Sequence, residues 1–252
     1  MKTLLDTSPL QCGNCAARPH VSSLRALAAA MVVATLSLNS GYSLAAESAG
    51  TPAMAPNAAP PAGAYKLDKS HGSLVVRASH MGFSKYTTRF SRFDADLTFD
   101  PKNLAASSVV VTIDAASFEM DFAPQMCSDI MKGPKMLDTA QFPQIVFKSQ
   151  SIVKTGPKSM KITGTLSLHG VTRPMVLTAT YNGGYAGIPN MDPNARVGFS
   201  AHGSVKRSDF GIVFGIPAPG TTMGVGDLID FSIEAEFSGP PLAAAAAQNS
   251  AP

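Results

Sequence analysis

The sequence predicts an all-β protein, an antiparallel barrel of eight strands with one or two short helices between the third and fourth. Three observations carry this. Between residues 74 and 237 the chain holds eight runs in which apolar and polar side chains alternate, short turn-like stretches separate them, and no regular helical crossovers intervene. Strands spaced this way pair antiparallel, as a closed barrel or as a two-sheet sandwich. Eight long runs in meander order, each with one apolar face, suit the barrel better, because closure leaves no exposed edge.

In chain order, Leu74, Val76, Ala78 and His80 share a face of the first run. The second, Phe93 to Asp100, puts Phe93, Ala95, Leu97 and Phe99 on one side and Asp94, Asp96, Thr98 and Asp100 on the other, then stops at the turn-forming Pro101-Lys102-Asn103. Val109, Val111 and Ile113 mark the third run and Ile145, Phe147 and Ser149 the fourth. The fifth carries Ile162, Gly164, Leu166 and Leu168, and the sixth Met175, Leu177, Ala179 and Tyr181. Val197, Phe199, Ala201, Gly203 and Val205 form the seventh set, and Ile229, Phe231, Ile233, Ala235 and Phe237 the eighth. One long interruption, Phe118 to Phe142, contains Asp129-Ile130-Met131 and Lys135-Met136-Leu137, which suggest the short helices on either side of Gly133-Pro134.

The flanks read differently. Residues 1–46 place Lys2, Arg18 and Arg25 ahead of an apolar run, Ala26 to Leu36, which is followed by the small residues of Ser43-Leu44-Ala45-Ala46. That order is a secretory signal peptide, with a retained anchor as the alternative, and it implies a periplasmic or secreted protein. The apolar run is short of the about 20 residues of a membrane span. Residues 47–64 (ESAGTPAMAPNAAPPAGA) read as a flexible linker, 65–239 as the barrel domain and 240–252 as a flexible tail. The Cys12/Cys15 pair is expected to leave with the leader, so that a core rather than a disulfide holds the domain around Cys127. Without the leader, 17 basic side chains face 16 acidic ones, and no basic block argues for nucleic acid as a partner.

An eight-stranded barrel is either filled by its own side chains or wide enough for one small ligand. Of the 32 inward positions above, eight are small: Ala78, Ala95, Ser149, Gly164, Ala179, Ala201, Gly203 and Ala235. Parity alone leaves both outcomes open. A tunnel lined in this way would accept hydrocarbon, and burying about ten methylenes at about 0.8 kcal/mol each corresponds to a micromolar complex before association costs.

Several segments together resemble the YceI-like, polyisoprenoid-binding family: His71-Gly72-Ser73-Leu74 followed by His80-Met81-Gly82; Phe90 with Phe93-Asp94; Ile113 to Ser117; Leu137-Asp138 with Phe142-Pro143; Gly164 to Pro174; Lys206 to Gly211; and Val225-Gly226-Asp227. Their order covers nearly all of Tyr65 to Phe237. The resemblance implies a lipocalin-like barrel, exported, that encloses an isoprenoid or other long-chain amphiphile and needs no cofactor. Gly72 departs from the family's usual serine, and the loops Gly183 to Asn194 and Ile212 to Gly224 are this chain's own, so the head group does not transfer. The side chains expected to touch the ligand are Val76, Ala78, His80, Phe93, Leu97, Val111, Phe147, Leu166, Leu168, Leu177, Phe199, Ala201, Phe231 and Ile233, with His80 near a barrel mouth where it could meet a head group.

Catalysis ranks below binding. The domain has no H-x-H, H-E-x-x-H or C-x-x-C spacing for a metal and no G-x-S-x-G elbow. His71 reads as a turn or cap partner ahead of the first strand, His202 as a solvated strand residue, and His169 as part of a connection from His169 to Pro174, pointing away from the interior. Arg207 and Asp209 are expected to pair and hold their turn. The reading is therefore an exported lipid carrier in transient contact with a membrane surface; a structural adaptor with a filled barrel is the alternative, and a lipid-modifying enzyme ranks third.

Overall fold

Ten strand segments and one α-helix make up the computed structural model, which describes residues 59–242. They are β1 (Gly63–His80), β2 (Ser84–Phe90), β3 (Phe93–Phe99), β4 (Ser108–Asp114), β5 (Phe118–Glu119), α1 (Gln125–Lys132), β6 (Gln144–Lys154), β7 (Ser159–Leu168), β8 (Val171–Tyr185), β9 (Asn194–Lys206) and β10 (Val225–Pro241). All pairings are antiparallel, and β10 returns to pair with β1. Segments β2 and β3 are two halves of one bent strand, the first opposite Leu74 to His80 and the second opposite Gly63 to Lys66. Counted so, the closed barrel has eight strands, as the alternation predicts, and β5 adds to the remaining edge of β2. The expected leader, most of the linker and the tail beyond residue 242 lie outside the described residues.

The strands begin earlier and bend more than the alternation shows. Leu67 lies opposite Phe237 and Gly72 opposite Ala235, so two steps along β10 match five along β1. The excess of three residues, within Asp68 to His71, is a bulge that switches the buried parity from Tyr65 and Leu67 to that of Leu74. His71 thus sits inside the first strand rather than ahead of it; its Nδ1 lies 3.0 Å from Asp68 Oδ2. A smaller irregularity between Ser149 and Ser151 of β6 buries Ile152 although Phe147 has the opposite parity.

The connection from β7 to β8 is only His169-Gly170, both at positive φ (51° and 75°), the signature of a two-residue type I′ turn. Thr172, Arg173 and Pro174, expected in the turn, already belong to β8, because Leu168 pairs directly with Val171. Between β5 and β6 a single α-helix forms. Gly133 leaves it with extended angles (φ −80°, ψ 176°), as the residue before a proline must, so Lys135-Met136-Leu137 is a turn and not a second helix. Cys127 is buried on α1, and the Cys12/Cys15 pair lies outside the described residues.

The topology defines two ends. At the end marked by Leu104, β3 passes to β4, β6 to β7 and β8 to β9, and both described chain ends emerge. At the end marked by His80, the β1–β2 hairpin, α1, the β7–β8 turn and the loop 211–224 converge. Two sequence motifs meet there: His169 Nδ1 lies 3.2 Å from the Phe210 carbonyl, and Arg173 Nε donates to the Asp209 carbonyl at 3.1 Å. Arg207 does not pair with Asp209. It is 4% exposed and donates to the carbonyls of Ile212, Phe214, Val225 and Gly226, while Asp227 accepts from the backbone N–H and hydroxyl of Ser208. Five donors in a planar fork let guanidinium satisfy several carbonyls at once, which a carboxylate partner would not.

Candidate ligand cavity

The barrel interior is filled unevenly. At the middle and His80 end, two of the small inward residues provide room for phenylalanine rings. A β-carbon on Gly164 would lie 2.8 Å from Phe147 Cζ, and one on Gly203 would lie 2.6 Å from Phe231 Cζ. Leu166 and Leu168 are buried in the same packing. The glycines that suggested empty space are therefore sites of close interdigitation.

Toward the Leu104 end a cavity of about 80 Å³ remains. Its wall is formed by Leu97 and Phe99 of β3, Val109 and Val111 of β4, Ile152 of β6, Met160 and Ile162 of β7, Leu177 and Ala179 of β8, Phe199 and Ala201 of β9, and Ile233, Ala235 and Phe237 of β10. Leu104 and Ser107, from the turn after β3, complete it. Here the small residues Ala179, Ala201 and Ala235 belong to the wall: Ala179 and Ala201 stand opposite each other, and Ala235 stands opposite Phe199.

Six of the side chains expected from the sequence come together on this wall: Leu97, Val111, Leu177, Phe199, Ala201 and Ile233. The other eight do not line it. Phe147, Leu166, Leu168 and Phe231 are buried in the packed core, and Val76, Ala78, His80 and Phe93 are half-buried. His80 lies at its expected end, its ring 6.4 Å from that of Tyr86, but the cavity is toward the opposite end. Leu104, Ser107, Ile152 and Met160 escaped the alternation. Ile152 is hidden by the β6 irregularity, Met160 by a strand start placed two residues late, and Leu104 and Ser107 by lying in a turn.

The wall is apolar apart from Ser107, whose Oγ accepts the Asp100 N–H at 2.9 Å. Around it stands an aromatic group: Phe99 packs on Tyr65, Tyr181 and Phe199 with ring centroids 6.1, 5.9 and 5.6 Å away, and Phe199 packs on Phe237 at 6.1 Å. Burial raises the phenol pKa of both tyrosines, which keeps them uncharged; Tyr65 donates to the Pro61 carbonyl at 2.7 Å. The arrangement offers dispersion contacts and no ionic or proton-transferring group, so it suits hydrocarbon. Its volume is well below the about 300–1,000 Å³ usual for a bound small molecule, so a long chain requires the wall to open. Among the described residues, no three or more His, Cys, Asp and Glu side chains are grouped to hold a metal ion.

The YceI-like domain model matches residues 65–237. A UPF0312 protein of Vibrio cholerae is 30% identical over 176 residues, 68% of this chain and 85% of the relative. Protein YceI of Escherichia coli O157:H7 is 38% identical over 152 residues, 59% and 75% of the two chains. Among solved structures, Burkholderia cenocepacia BcnA superposes with a TM-score of 0.57 at 25% identity, covering 68% of this chain and 98% of its own. A polyisoprenoid-binding domain from Saccharophagus degradans shares the fold, with a TM-score of 0.50 at 14% identity, over 70% of this chain and 98% of its own.

Proposed function

The chain belongs to the YceI-like family, and from that premise we propose that it is an exported binding protein that holds an isoprenoid-type lipid, a polyprenyl chain or isoprenoid quinone, inside its barrel. The observation that carries the reading is the apolar cavity toward the Leu104 end, whose one polar wall residue, Ser107, already has its oxygen engaged. The S. degradans domain of the same fold, named for polyisoprenoid binding, supports the ligand class. Export to the periplasm rests on the leader-like order of residues 1–46, and transient membrane contact on the need to collect such a ligand. The hydrocarbon enters the wall and the head group stays outside it, because the wall has no charged group and only the Ser107 hydroxyl to replace the water a phosphate or quinone would lose.

A second reading has its own support. The small volume, with Phe147 and Phe231 filling the space beside Gly164 and Gly203, favours a barrel that serves as a rigid adaptor. Native mass spectrometry and organic extraction of protein purified from its own cell envelope separate the two. Stoichiometric lipid, and a melting temperature raised by added isoprenoid quinone, are expected of a carrier. An empty protein with an unchanged melting temperature would leave the adaptor.

A further inference from the structure

Large apolar side chains are unevenly distributed over the barrel's surface. Six are more than 55% exposed among the described residues, and five of them (Phe83, Phe122, Met126, Val213 and Met223) lie at the His80 end; only Met191 belongs to the other. They come from three segments that touch one another. The Met81 N–H donates to the Gly224 carbonyl at 2.8 Å, joining the β1–β2 turn to the loop that carries Met223. Tyr86 of β2 donates to the carbonyl of Asp121, the residue before Phe122, and Lys135 Nζ lies 5.3 Å from the ring of Phe214, the residue after Val213.

Phe122 is the most telling of these. It is fully exposed, at 104%, and its φ is +60°, a left-handed conformation that costs a bulky residue free energy. Folding gains nothing from a strained phenylalanine in water, so its contribution is to be sought outside the folded monomer.

We propose that Phe83, Phe122 and Met223 form a rim at the His80 end that inserts into the surface of a lipid bilayer. Each side chain stands on a separate segment beside polar neighbours such as Ser84, Asp121 and Thr222, a mixture that suits the head-group region of a membrane. A fluid bilayer accepts apolar side chains singly. Of the acids near the rim, Asp230 pairs with Lys85 at 2.6 Å, and Asp121 lies 3.7 Å from Arg89, which also pairs with Glu119 at 2.7 Å. Both described chain ends leave from the opposite end of the barrel. This deepens the carrier reading by naming the surface through which a membrane-derived ligand is collected.

The test is flotation of the purified protein with phosphatidylcholine vesicles, with and without phosphatidylglycerol. The parent is expected to float with both. A Phe83→Ser/Phe122→Asn variant, in which asparagine relieves the left-handed strain, is expected to float about tenfold less at an unchanged melting temperature. Met191→Ser serves as the control that floats like the parent. The proposal is overturned if the parent stays in solution, if the double variant floats equally well, or if light scattering shows a parent dimer that the double variant dissociates. Organic extraction of the same preparation keeps the two readings apart: floating protein that yields no lipid supports the rim and removes the carrier, whereas lipid-loaded protein that does not float removes the rim alone.

Discussion

The ring of Phe147 occupies the place where Gly164 has no side chain, with Cζ 2.8 Å from the position of a β-carbon there, and the carbonyl of Lys148 lies against the same point. A glycine in a central strand is otherwise unfavourable, and here the adjacent ring covers it. Gly164→Ala is expected to destabilise the barrel by about 1–3 kcal/mol, since both a ring and a backbone atom must shift. Urea denaturation measures this; an unchanged midpoint would mean that the interior yields more easily than its packing indicates.

Ala201 faces the cavity from β9, opposite Ala179 of β8 and Ile233 of β10. Ala201→Leu fills the space a hydrocarbon would use, and is expected to change stability by less than about 1.5 kcal/mol while abolishing recoverable lipid. Lipid still extracted at full stoichiometry from that variant would place the ligand elsewhere.

Arg207 holds four carbonyls that lie between Ile212 and Gly226. Burial pushes its pKa down, with the charge of Asp227 opposing the shift, yet guanidinium stays protonated. Lysine has three donors without the planar fork, so Arg207→Lys is expected to cost about 2–4 kcal/mol and to loosen the loop 211–224. Hydrogen exchange should show those amides opening ahead of the barrel strands, and uniform protection of the loop would contradict the account.

The bulge in β1 is held by Asp68, which accepts from the Ser70 hydroxyl at 2.6 Å and from Arg196 Nη1 at 2.5 Å, and meets His71 at 3.0 Å. These bonds, with Ser70 first among them, keep its carboxyl well below the ordinary carboxylate range. A depressed acid contributes stability that is complete above the unfolded pKa of about 3.9 and is lost as pH falls toward the folded value. The melting temperature is therefore expected to drop steeply below about pH 4, and Asp68→Asn to be less stable at neutral pH with a shallower acid slope. Parallel acid slopes for the two proteins would assign the drop to other carboxylates.

The fold was legible wherever one face is dry and the other wet. Phe93 to Asp100 states its strand, its faces and its end in eight residues, and β3 appears there with Ala95, Leu97 and Phe99 buried. The motif from Leu166 to Pro174 likewise marked a hairpin, although its turn is two residues long. Local alternation failed at bulges. Tyr65 and Leu67 lie beyond one in β1 and Ile152 beyond another in β6, and an extra residue that shifts parity leaves no mark on composition.

The candidate site was half legible for a related reason. Parity assigns a side chain to the interior but does not say at what height along the barrel it sits or which neighbour it meets. The sequence by itself determined eight antiparallel strands with one apolar face each, because alternation with period two is a property of each strand alone, while closure comes from the pairing of β10 with β1. Tertiary structure decided whether a small inward residue becomes a hole or a seat. Gly164 and Gly203 receive rings from the paired strand, whereas Ala179 and Ala201 stand opposite each other beside the cavity, and that difference depends on register across the barrel, which no single strand contains.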